Sequence, residues 1–92
     1  MEDMPADADA ILAKLSAIIA DHFTVPASII DFETQAHNVM GWDSIAHTIL
    51  ILKVEDSFGI EFDENDIFEL NDVGQLVRLI SQCLARQQPQ SP

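Results

Sequence analysis

The chain has 92 residues, 48% of them hydrophobic and 22% charged, which fits one globular domain and argues against a disordered chain. Sixteen Asp and Glu against four Lys and Arg give a formal charge of −12. That balance all but excludes a nucleic-acid binder, whose phosphate contacts need a cationic surface, and it disfavours the anionic inner leaflet of a membrane.

Met1 to Ala6 reads as a flexible acidic start without the basic region and apolar run of a signal peptide. The folded carrier of the chain's function is expected over residues 7–86, and 87–92, with two prolines, is expected to be a disordered tail. The longest apolar run, Ile49 to Leu52, is too short to span a bilayer. A single cysteine, Cys83, forbids an internal disulfide, so the expected setting is cytoplasmic.

A first helix is predicted from about Asp7 to Phe23, because Ile11, Leu12, Leu15, Ile18, Ile19 and Phe23 recur at helical spacing. Pro26 ends that pattern or opens a short turn. Val25 to Met40 is a long connection, and its Ile29, Ile30, Phe32, Val39 and Met40 are expected to tuck it onto the core.

A second helix is predicted from about Ser44 to Ser57 or Phe58, with Gly59 as a left-handed cap. At 100° per residue, Leu50, Ile51, Val54 and Phe58 gather on one side, and Ile45, Ile49 and Leu52 gather roughly opposite. Both sides could be buried. In a domain this small few helices are enclosed all round, and Asp56 shares the second side with Glu55 at its border. The favoured expectation is a core face and a partly exposed strip with acids at its edge, the pattern of a partner-docking surface.

Asp63 to Glu69 should form a short third helix capped by Asp63. Asn71 or Asp72 should cap a last helix reaching about Ala85, with the stripe Val73, Leu76, Val77, Ile80, Cys83 and Leu84. The fold class is all-α, a four-helix bundle of three long helices and one short one.

Gly41-Trp42-Asp43-Ser44-Ile45 stands where the long connection meets the second helix. Gly41 permits a sharp entry, and either Asp43 or Ser44 suits the cap position. A capping box is missing, since His47 rather than Glu or Gln stands three residues after Ser44. Together with Glu55-Asp56-Ser57-Phe58-Gly59-Ile60, Asp63, Asp66 and Val73-Gly74-Gln75-Leu76, the segment resembles the acyl carrier protein family from about Gly41 to Ile80. The resemblance implies a 4′-phosphopantetheine arm, transferred from coenzyme A by a phosphopantetheinyl transferase onto Ser44, with Asp43, Trp42 and Gly41 framing the site. It implies a thioester-bound acyl or aminoacyl cargo, no catalysis by the chain itself, and a monomer. Partners would be loading ligases, acyltransferases or synthases with basic docking surfaces, meeting Ile45, Ile49, Leu52, Glu55 and Asp56. Carriers of primary fatty-acid synthesis usually hold acids early in this helix. Here those places hold Ala46, His47 and Ile49, which, with Trp42, looks more like a stand-alone carrier of a specialised pathway.

Two other readings compete. One is an acidic helical adaptor with no prosthetic group. The other is a hydrolase in which His47 activates Ser44, for which the chain has little material to build an oxyanion site or cleft. Asp63 to Gly74 fails the calcium-loop pattern, because Phe68 stands at the required glycine. His22, His37 and His47 lack ligand spacing on one element, and no metal is expected. His47 should lie near the core side or close to the arm. Cys83 is expected as a buried structural thiol.

Nine acids and one base, Lys53, lie between Asp43 and Asp72. Such self-repulsion is relieved by screening. The melting temperature should therefore rise between low and moderate salt; a salt-independent melt would contradict a concentrated acidic face.

Overall fold

A computed structural model of the chain describes residues 6–35, 38–67, 70 and 72–87. Three long helices, α1 (Ala8–Phe23), α2 (Ser44–Phe58) and α4 (Val73–Gln87), pack with a single-turn α3 (Glu64–Ile67). A short 3-10 turn covers Ala27–Ile29. Among the described residues no strand forms, only an isolated bridge between Gln35 and Asp72. The all-α bundle expected from the periodicity is the observed fold.

The core forms where the three stripes meet, with α1 lying against both α2 and α4. Leu15 and Ile19 of α1, Leu50 and Val54 of α2, and Val73, Leu76, Val77 and Ile80 of α4 are all essentially inaccessible. Leu79, outside the expected stripe, is buried as well. Cys83 is buried as expected, its thiol 3.6 Å from the Glu61 carbonyl. No helix among the described residues is long and apolar enough to cross a membrane.

The helix ends follow local chemistry. Asp7 precedes α1 without capping it; its Oδ1 instead accepts the Ser81 hydroxyl at 2.9 Å and ties α1 to α4. α1 stops at Thr24, a β-branched residue in the left-handed region (φ 57°) where glycine is usual. α2 stops at Gly59 (φ 67°), as the sequence predicts. Lys14 of α1 donates to the Ser57 carbonyl at 2.8 Å and lies 4.7 Å above the Phe58 ring, placing a cation at the negative end of α2.

The connection after α1 is held by α4. The first amides of α4, on Val73 and Gly74, donate to the Thr34 and Phe32 carbonyls at 2.8 and 2.7 Å. Asp72 Oδ1 accepts from the Gln75 amide at 2.8 Å and completes the cap. Helix donors without intrahelical partners thus fasten a long loop.

The loop corrects one expectation. Ile30 and Val39 are buried and Phe32 is half-buried, but Ile29 is 50% and Met40 89% exposed. The 3-10 turn carries Ile29 outward while Ile30, already extended, turns in. Met40 sits in the turn before Gly41, beyond the last anchored residue, Val39.

α3 begins as expected, with Asp63 Oδ1 accepting from the Asn65 amide at 3.1 Å, and ends at Ile67. The expected end at Glu69, the alternative cap Asn71 and the histidine His37 lie outside the described residues, as do 1–5 and 88–92. α4 runs two residues past Ala85 to Gln87, because the first residue that resists helix, Pro89, comes later.

Candidate functional site at the start of α2

Gly41 adopts φ +89°, a conformation that side-chain-bearing residues rarely take, and it turns the chain into α2. Asp43, extended at φ −104° and ψ −172°, is the cap: its Oδ1 accepts from the Ala46 amide at 2.8 Å, and its carbonyl accepts from the His47 amide at 2.8 Å. The choice left open between Asp43 and Ser44 falls to Asp43. Ser44 becomes the first residue of the helix, exposed, and among the described residues nothing hydrogen-bonds its hydroxyl.

The Asp43 cap is a modest stabiliser. Asp43→Ala should cost about 1 kcal/mol of fold stability. Chemical denaturation would read this; an unchanged midpoint would contradict the capping role.

Trp42 roofs the junction. Its ring stacks on Phe23 of α1 with centroids 5.0 Å apart at 22°. Its indole N–H donates to His47 Nδ1 at 3.0 Å. An indole is a donor only, so the imidazole proton sits on Nε2, which donates to the Ile67 carbonyl of α3 at 3.1 Å. Both ring nitrogens are thereby occupied, and neither serves as a base for Ser44. The hydrolase reading fails on this geometry.

An open groove of about 450 Å³ lies beside the serine, lined by Trp42, Asp43, Ser44, His47, Thr48, Ile67 and Leu70. Thr48, Ile67, Leu70 and the Phe23 platform are site residues that the sequence reading missed. Thr48, one helical turn after Ser44, was legible in principle from spacing; the other three come from elements distant in sequence and had no signal.

Along α2, Ile45, Ile49 and Leu52 are 73%, 43% and 59% exposed, while Leu50, Ile51 and Val54 are buried and Phe58 is half-buried. The two-sided helix exists. Asp56 is exposed beside the strip. Glu55 differs: it is half-buried, and its Oε2 accepts from the Phe62 amide at 2.8 Å. Part of its charge is spent on the chain after α2. Lys53, at the other edge, donates to His22 Nδ1 at 3.0 Å. Among the described residues no group of three or more His, Cys, Asp or Glu could hold a metal ion.

The exposed Ser44 hydroxyl suits a covalently held phosphate. It stands at the amino end of a 15-residue helix, whose dipole and first-turn amides favour an anion there, and it opens onto a groove rather than onto packed core.

Comparison with known proteins agrees. The family described as "Phosphopantetheine attachment site" matches residues 13–80. "Acyl carrier protein 3" of Ralstonia nicotianae is 31% identical over 75 residues, covering 82% of this chain and 86% of the relative. An "Acyl carrier protein" of Thermotoga maritima is 28% identical over 79 residues, covering 86% and 98%. The solution NMR structure of a holo acyl carrier protein from Geobacter metallireducens superposes with a TM-score of 0.77 at 29% identity, over 88% of this chain and 95% of that one.

Proposed function

Because the chain belongs to the acyl carrier protein family, whose prosthetic group is phosphopantetheine, we propose that Ser44 is the residue that holds the arm. It is a carrier and not an enzyme, and it meets a phosphopantetheinyl transferase and acyl-handling enzymes. When bound, the arm supplies a terminal thiol that holds an acyl group as a thioester.

The observation that carries the Ser44 assignment is the division of labour at the helix start. Asp43 performs the capping, so the adjacent hydroxyl is left exposed and, among the described residues, without a partner. A transferase reaches it from solvent without unfolding the first turn. Gly41 sets the entry angle, and Trp42 braces the entry against Phe23.

Partner enzymes read the outer face of α2. Ile45, Ile49 and Leu52 supply apolar contact, Asp56 supplies charge, and Glu55 contributes what its bond to Phe62 leaves available. The overall charge of −12 steers the carrier toward enzymes with basic docking surfaces. The uncharged start of this helix, Ala46, His47 and Ile49, supports service to a specialised pathway rather than general fatty-acid synthesis. The single free thiol, Cys83, supports a cytoplasmic carrier acting as a monomer.

The test is direct. The unmodified protein is incubated with coenzyme A and a broad-specificity phosphopantetheinyl transferase, and its intact mass is taken. One arm's mass should be gained. No gain, with a control carrier fully modified, would overturn the assignment.

A further inference from the structure

His47 lies on the core side of α2, one turn before the buried Leu50 and Ile51, and it also lines the groove beside Ser44. Its two hydrogen bonds run to different parts of the fold. Nδ1 accepts from Trp42, on the loop that enters α2, and Nε2 donates to the carbonyl of Ile67, the last residue of α3. Trp42 is itself fixed by its stack on Phe23 of α1. One imidazole thus ties α2 to α3 across the groove floor, and the tie is anchored on α1.

We propose that the Trp42–His47–Ile67 chain is a polar latch across the seam between α2 and α3. It keeps the carried group out of the apolar core, so the cargo is a short acyl group resting in the surface groove rather than a long hydrocarbon chain threaded inside. The inference rests on the Ser44 assignment and narrows the cargo of that site.

The physical basis is the asymmetry of hydrogen bonding. To pass between α2 and α3, a hydrocarbon must part His47 from Ile67 and press methylenes against an imidazole N–H and a carbonyl that have lost their partners. Burying such groups unpaired costs more than an ordinary hydrogen bond returns. Beyond the seam Leu50 and Val54 are fully inaccessible, so no water-sized void adjoins them. The groove itself offers mixed walls, Ile67 and Leu70 against Asp43, Thr48 and His47, and its roughly 450 Å³ lies in the range of small-molecule sites. Those walls suit a compact cargo.

The experiment loads the wild-type protein with non-hydrolysable amide analogues of acetyl-, hexanoyl- and dodecanoyl-coenzyme A, with the intact mass of each product confirming the load. Melting temperature and the methyl resonances of Leu50 and Val54 are then followed against chain length. In the wild type, the acetyl and dodecanoyl forms should melt within about 1 °C of each other, with those methyls unmoved. In His47→Leu, which removes both bonds, the dodecanoyl form should melt more than about 4 °C above the acetyl form, because methylenes now bury, and the core methyls should shift. Trp42→Phe, which retains an aromatic ring over Phe23 but lacks the indole donor, should show the same change in smaller measure. It keeps the test alive if His47→Leu does not fold. A wild-type dodecanoyl form stabilised with shifted core methyls, or folded latch variants that remain indifferent to chain length, would overturn the latch. Failure of the wild type to gain mass from any analogue would overturn the Ser44 assignment, and the latch with it.

Discussion

In Ser44→Ala, the coenzyme-A-dependent mass gain disappears entirely, while the melting temperature stays within about 2 °C of the wild type. The two halves of this result are separable because the capping is done by Asp43 and not by the serine hydroxyl. Asp43 Oδ1 already takes the Ala46 amide, and among the described residues nothing bonds the Ser44 Oγ. Ala is also a better helix former than Ser at a first-turn position, by a few tenths of a kcal/mol at most. Loss of loading with an unchanged fold therefore isolates the hydroxyl as the acceptor. Loading that survives in Ser44→Ala would place the arm elsewhere. A large fall in melting temperature would mean that the serine has a structural partner.

The second expectation contrasts two leucines of one helix. Leu50 and Leu52 stand roughly 160° apart around α2 at 100° per residue. Leu50 is fully inaccessible, whereas Leu52 is 59% exposed. Leu50→Ala leaves a cavity in the core cluster that Leu50 shares with Leu15, Ile19 and Val54 and should cost about 2–5 kcal/mol, a large part of the stability of so small a domain. Leu52→Ala should change stability by no more than about 0.5 kcal/mol. Its effect should appear with partners: as a contact on the docking strip proposed above, its loss should lower kcat/KM of a loading enzyme about tenfold. Denaturation and carrier-dependent turnover of the two variants check both halves. Equal destabilisation would contradict the two-sided helix, and undiminished turnover by Leu52→Ala would remove Leu52 from the docking surface. Asp56→Lys is the cleaner charge variant of the same face, because reversing Glu55 also breaks its bond to the Phe62 amide.

What was legible in the sequence was what depends on neighbours within a turn or two. The spans of α1 and α2 followed from apolar spacing and from Gly59, whose left-handed φ is the stop it suggested. The separation of Ile45, Ile49 and Leu52 from Leu50, Ile51 and Val54 is a consequence of helical periodicity and one nearby acid, and the exposures agree with it. Asp43 and Ser44 could not be ranked as caps, because both residue types accept equally well from first-turn amides. Backbone geometry decides between them, and that is set by the turn at Gly41.

The rest depends on contacts between distant residues. Nothing in the local pattern marks Val73 and Gly74 as donors to Thr34 and Phe32, about forty residues earlier, yet those bonds fasten the loop to α4. The exposure of Ile29 and Met40 follows from the 3-10 turn and from the turn before Gly41, which apolar spacing alone does not mark. The stack of Trp42 on Phe23 and the reach of His47 to Ile67 likewise need the assembled bundle. His47 lies on the core side, one of the two placements expected of it, and the same ring lines the groove beside Ser44.

Peptide-level mass mapping of the modified protein tests the central claim most directly. Trypsin, cutting after Lys14 and Lys53, frees one peptide that contains Ser16, Ser28 and Ser44. Fragmentation of that peptide should place the whole phosphopantetheine mass on Ser44, at the amino end of α2. The same mass on Ser16, Ser28 or any residue outside this peptide would contradict it.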